Sequence, residues 1–143
     1  MTEIELTKAF YERLAGADAH GKPLAWEGAE VPTYTGSPPA EAGAPLVVIG
    51  RPRARGQEAL DGTRLDEVRI QLRVHTAFEE GKGDYLQAYE IASAAHDLLK
   101  AAPIEIGGYA PRITRPDKTP VPAYDKGAKE ALDLTLDYRF ASL

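Results

Sequence analysis

From Leu65 to Ala77 apolar and polar residues alternate, with Val68, Ile70, Leu72, Val74 and Thr76 on one side and Arg69, Gln71, Arg73 and His75 on the other. A two-residue period belongs to a strand with one face in a core, not to a helix. A second run answers it: Leu132, Leu134, Leu136, Tyr138 and Phe140 alternate with Asp133, Thr135, Asp137 and Arg139. Paired antiparallel, the two strands share an apolar face and bring Arg69 and Arg73 near Asp133 and Asp137 on the other. Such cross-strand charge pairs contribute roughly 0.2–1 kcal/mol each, enough to help set register. The shared apolar face needs cover, and two helical stripes supply it. Leu6, Phe10 and Leu14 recur every four residues, after Thr2 and Glu5 at capping-box spacing and before a stop at Gly16. Ala88, Ile91, Ala92, Ala95, Leu98 and Leu99 form the second stripe, capped by Asp84 and ended by Pro103.

The rest of the chain is less regular. Residues 17–45 carry Gly21, Pro23, Gly28, Pro32, Gly36, Pro38, Pro39, Gly43 and Pro45. So many breakers predict an irregular segment with only Leu24-Ala25-Trp26 as a short strand, pinned over the domain by Trp26 and Tyr34. Leu46 to Ile49 reads as a compact strand ending at Gly50, and residues 51–64 as a long charged loop leading back to the first alternating run. Ile104-Glu105-Ile106 and Tyr109 to Thr114 flank Gly107-Gly108 as strand, turn and strand. Residues 115–129, with Pro116, Pro120, Pro122 and Gly127, read as a second long loop. The sum is one domain over residues 1–143 of α+β class. Two helices pack on one face of a mostly antiparallel four- to five-stranded sheet, in the order α-β-β-α-β-β.

Composition narrows the classes. Of 143 residues, 43% are apolar and 27% charged, as in ordinary globular proteins, and 13 Gly with 11 Pro agree with generous loops. With no cysteine, disulfides, thiolate metal sites and a cysteine nucleophile are excluded. No apolar run reaches the ~18 residues of a membrane span. The acidic start, Met1-Thr2-Glu3-Ile4-Glu5, differs from a secretory leader, so a soluble cytoplasmic protein is expected. A net charge of −5 argues against general affinity for nucleic acid.

Catalytic signals are absent from the pattern. His20, His75 and His96 are far apart, in no metal-ligand spacing, and read as ordinary boundary or surface residues. Gly81-Lys82-Gly83 lacks the spaced glycines and Lys-Ser/Thr pair of a phosphate loop. Asp133 and Asp137 share a strand face but stand about 13 Å apart, too far to act on one bond. No serine lies in a nucleophile elbow. The expectation is therefore no enzyme, with no catalytic residue, no cofactor and no metal. Arg51-Pro52-Arg53-Ala54-Arg55 is the strongest basic cluster. It has three readings: a solvated loop, a nucleic-acid contact lacking the usual aromatic company, or an arm docking on the carboxylates of a neighbouring subunit.

The layout as a whole resembles the tail terminator, or tail-completion, proteins of long-tailed bacteriophages and gene transfer agents. The resemblance rests on the short first helix, Leu24-Ala25-Trp26 followed by Pro32, and Pro45-Leu46-Val47-Val48-Ile49-Gly50. It continues through Val74-His75-Thr76-Ala77, a Gly-rich turn, and Tyr89-Glu90-Ile91-Ala92-Ser93-Ala94-Ala95-His96-Asp97-Leu98-Leu99. It ends in Leu134-Thr135-Leu136-Asp137-Tyr138-Arg139-Phe140. It implies a virion structural protein: a homohexameric ring that caps the tail tube and meets the head-side connector or stopper protein. Its other partner would be the major tail tube protein. DNA would pass through its channel without specific binding, and no membrane is involved. Location would be the head-tail junction of the virion, after assembly in the host cytoplasm. A ring needs a head-to-tail contact that closes, and the two long loops and the polar strand face supply candidates: Arg51, Arg53, Arg55, Arg64, Arg115, Asp117, Lys118, Tyr124 and Lys126. The alternatives are another phage neck or minor tail component of similar fold, or a small-molecule binding domain with a cleft near Trp26 and His96.

Overall fold

The structure is a computed structural model and describes residues 2–19, 22–58, 64–78, 85–104, 109–112, 120–123 and 130–142. In chain order these form α1 (Thr2–Leu14), β1 (Ala25–Trp26), β2 (Ala29–Glu30), β3 (Thr33–Thr35), β4 (Leu46–Ile49), β5 (Arg53–Glu58), β6 (Arg64–Phe78), α2 (Tyr85–Lys100), β7 (Tyr109–Arg112), β8 (Pro120–Ala123) and β9 (Glu130–Ser142).

The two alternating runs are β6 and β9, and they are neighbours, antiparallel from Glu67↔Ala141 to Phe78↔Glu130. Val68, Ile70, Leu72 and Val74 of β6 and Leu134, Leu136, Tyr138 and Phe140 of β9 are buried together. The stripes Leu6, Phe10 and Leu14 of α1 and Ala88, Ile91, Ala92, Ala95 and Leu99 of α2 close over them in one cluster. Phe10 meets Tyr138 and Phe140 edge-on, with ring centroids 5.5 and 5.8 Å apart, so one aromatic side chain ties α1 to β9.

The sheet itself corrects the expected architecture. Among the described residues it has seven strands rather than four or five, and it is mixed rather than mostly antiparallel, because β3 lies parallel to β4. Its order is β3-β4-β6-β9-β7, with β5 also on β6 and β8 also on β9. The strand order along the chain differs too: the short strand expected at Leu24-Ala25-Trp26 is present as β1, but β2 and β3 follow it before β4. Gly and Pro between 17 and 45 shorten strands to two or three residues without abolishing them. Backbone pairing needs no apolar alternation, which is why β2 and β3 leave no periodic signal in the sequence.

The same reason corrects the reading of residues 51–64 as a loop. Arg53–Glu58 form β5, laddered onto β6 from Arg53↔Arg69 to Glu58↔Arg64. β4 precedes it on the same flank, ending at Ile49↔Leu72. Residues 50–52 thus oppose only residues 70–71, a one-residue bulge. Its effect is on facing. Val47 and Ile49 point into the core, and unbroken alternation would send Arg51, Arg53 and Arg55 after them. The extra residue reverses the phase and sets Arg53 across from Arg69 on the polar side. Gly50 makes the close approach, its N–H donating to Gln71 O at 2.8 Å. β8 also lies within an expected loop, 115–129, and its Pro120 and Pro122 sit on an outer strand, where proline is tolerated and discourages edge pairing. The rest of that stretch lies outside the described residues, as do 105–108 of the expected strand-turn-strand.

α1 ends as Gly16 suggests. Gly16 has φ 76°, its N–H donates to Arg13 O, and Ala17 N–H donates to Glu12 O, the paired bonds of a Schellman cap. The chain then returns along the helix end, with Leu24 N–H donating to Leu14 O at 2.9 Å. β1 and β2 form a hairpin joined by Glu27 and Gly28, with φ 50° and 81°. Two positive φ angles in a two-residue loop are the signature of a type I′ turn, which prefers Asn-Gly. Glu27 is exposed, so Glu27→Asn is expected to raise stability by about 0.5 kcal/mol by removing left-handed strain. A higher urea midpoint at unchanged slope would register it. Trp26 fastens the hairpin to α2 by donating from Nε1 to Glu90 Oε2 at 2.6 Å.

Candidate functional site

Both helices cover the apolar face of the sheet, and the opposite face is a charged lattice. Glu67, Arg69, Gln71, Arg73 and His75 of β6 lie beside Asp133, Thr135, Asp137 and Arg139 of β9, all partly or fully exposed. The expected pairing of Arg69 and Arg73 with Asp133 and Asp137 is realised only in part. Register places Arg69 across from Arg139, Gln71 from Asp137, Arg73 from Thr135 and His75 from Asp133. Arg69 Nε therefore donates along its own strand to Glu67 Oε1 at 3.2 Å, and Arg139 Nε approaches the same oxygen at 3.5 Å. Glu67 thereby lies between two guanidinium groups that would otherwise repel. Arg73 Nη1 reaches Asp133 Oδ2 at only 4.0 Å, whereas His75 Nδ1 lies 2.6 Å from Asp133 Oδ1. The alternation is written in the sequence, but these pairings follow from the register.

Asp137 Oδ1 and Arg139 Nε are buried and lack a hydrogen-bond partner. Buried polar atoms are usually satisfied, and Arg139 Nε is compensated in part by the Glu67 carboxylate at 3.5 Å.

The nine candidate residues divide by position. Arg51 and Arg53 are exposed at the bulge. They line a groove of about 1380 Å³ that runs between β4–β5 and the outer side of α1, where Glu3, Ile4, Thr7, Lys8 and Tyr11 form the other wall. Arg55 stands in register with Glu67, and Arg64 with Glu58, so both belong to the β5–β6 ladder. Arg115, Asp117, Lys118, Tyr124 and Lys126 lie outside the described residues. Hence the structure brings Arg51 and Arg53 together with α1, and α1 was not expected at the site.

Two buried polar groups were also missed. Arg13, 3% exposed, runs under the end of α2 and donates from Nη1 to the carbonyls of Leu98, Leu99 and Ala102 at 3.1, 3.3 and 2.9 Å. Its Nε meets Asp18 Oδ2 at 2.7 Å. The guanidinium thus satisfies a helix C-terminus and complements its dipole. Only the presence of an arginine beside an apolar stripe hinted at this. Tyr138 is 1% exposed, and its hydroxyl lies 2.9 Å from His96 Nδ1, with the rings stacked at 5.8 Å.

Burial pushes the Tyr138 phenol well above the ordinary 10.0. A raised phenol pKa makes the folded state hold its proton after the unfolded chain has lost one. Stability contributed by this group is thus complete below about pH 10 and declines above it, by up to ~1.4 kcal/mol per pH unit. Urea titrations from pH 8 to 11 are expected to show this decline, with a shallower one in Tyr138→Phe.

Among the described residues no group of three or more His, Asp or Glu side chains is placed to hold a metal ion, and no helix is long and apolar enough to cross a membrane. What remains is a protein with well-formed surfaces: a charged sheet face, a basic edge and a groove. The model of the family described as Tail completion protein gp17 matches residues 14–120. The chain belongs to this family. No curated protein matches it. The matched region runs from the end of α1 to the first residue of β8, so it includes the hairpin, the bulge, the groove's sheet wall and α2. A tail-completion protein has a structural role in the phage tail, which accords with surfaces built for contact.

Proposed function

We propose that the chain is the subunit of a six-membered ring that ends the phage tail tube and joins it to the head-side connector. Family membership over residues 14–120 carries this reading. A closed ring requires two different surfaces on each copy, and the fold spends only one face of its sheet on the core. The major tail tube protein on one side and a connector or stopper protein on the other are the proposed partners. DNA passes through the channel without specific binding, for which a net charge of −5 is suitable. The subunits assemble in the host cytoplasm and remain at the head-tail junction of the virion.

Negative-stain electron microscopy of the purified chain, alone and with tail tubes, tests the proposal together with light scattering at rising concentration. Six-membered rings, free or seated on tube ends, are expected. A chain that stays monomeric and leaves tube ends bare defeats it.

A further inference from the structure

Among the described residues, the large apolar side chains left exposed are Ile4 and Tyr11 on α1 and Leu86 and Tyr89 on α2, at 64, 42, 57 and 39%. They form two patches rather than one. Ile4 and Tyr11 are seven residues apart, so they share a helix face with Lys8 between them, and that face lines the groove opposite Arg51 and Arg53. Its charged lining is Lys8, Arg51 and Arg53 against Glu3 alone. The second patch continues along the outer stripe of α2, where Leu86, Tyr89, Glu90, Ser93 and Asp97 are all exposed. Its carboxylates, Asp97 and Glu90 (which also accepts from Trp26 Nε1), oppose the sign of the groove, with Lys100 as the cation at the far end of the stripe. Each patch therefore has the apolar content and the charge that the other needs, and they sit on different elements of one chain.

We infer that the groove between α1 and the β4–β5 bulge receives the outer face of α2 from a second copy of this chain. Leu86 and Tyr89 pack on Ile4 and Tyr11, and Asp97 faces the basic wall at Arg51 and Arg53, where an arginine fork suits a carboxylate. The contact is head-to-tail, since each copy offers a groove to one neighbour and a helix to the other. It rests on the ring reading above and names the surfaces that close that ring. The length suits as well: Leu86 to Asp97 covers about 16 Å of helix, and a groove of about 1380 Å³ has room for its side chains.

The chain has no cysteine, so single thiols report on this contact cleanly. Lys8→Cys and Ser93→Cys are exposed changes on the two patches. With a short bis-maleimide, a mixture of the two variants is expected to give covalent dimers, each variant alone almost none, and the doubly substituted chain a ladder of oligomers. The reaction is run on the full chain at the concentration where it assembles, and on tail tubes. Dimers from a single variant alone would mean a two-fold contact and overturn the inference. Rings seen by microscopy without cross-linking in the mixture would overturn this contact and leave the ring standing. A wild-type chain that is monomeric under both conditions would remove both.

Discussion

Arg13→Ala is expected to destabilise the protein by about 3–5 kcal/mol, the range for removing one partner of a buried, hydrogen-bonded charge. The guanidinium is enclosed beneath the end of α2, where it serves the carbonyls of Leu98, Leu99 and Ala102 and the carboxylate of Asp18. Alanine removes the donor those acceptors share, and a buried acceptor left unpaired, as Leu99 O would be, costs about 1–3 kcal/mol. Arg13→Lys is expected to recover only part of the loss, since an ammonium lacks the planar fork that addresses carbonyls and carboxylate at once. Urea denaturation with all variants at one pH decides it. A loss under about 1 kcal/mol would mean that water reaches the α2 terminus and already serves its carbonyls. Against a typical total stability of about 5–15 kcal/mol, the expected loss is large for a residue outside the apolar stripe.

The second large effect is one turn away. Gly16→Ala is expected to cost about 2–4 kcal/mol, from left-handed strain plus overpacking. At φ 76° an added Cβ would stand 2.5 Å from Pro23 Cδ and 2.6 Å from Pro23 N. Pro23 cannot yield cheaply, because it lies in the β-bridge with Ala15 that brings the chain back along the helix end. Gly28 provides the control within the same molecule. It has a similar φ of 81° but open space around it, so Gly28→Ala is expected to lose only the strain, about 1 kcal/mol. Equal losses at the two sites would show that the backbone relaxes away from Pro23.

Periodicity is legible where burial enforces it. β6 and β9 alternate because one face of each meets the helices, and α1 and α2 carry stripes for the same reason. β5 was not legible, because Arg-Ala-Arg-Gly-Gln-Glu has no apolar alternation and is held to β6 by its backbone ladder. The parallel entry of β3 beside β4 left no mark either, since three residues are too few to show a period. The basic cluster was visible as a run of arginines. That a bulge turns Arg53 toward the polar face, and that α1 supplies the opposing wall, were not.

The amino-acid sequence by itself determined the α+β class, the two central strands and their covering helices, and the likeness to phage tail-completion proteins. Each of these is written in local order, as a period, a cap or a run of residues. Tertiary structure alone decided that Arg13 holds the end of α2, that His75 lies closer to Asp133 than Arg73 does, and which residues surround the groove. These depend on register and on contacts between segments 58 to 89 residues apart, and a local pattern does not encode which distant segment the chain will meet.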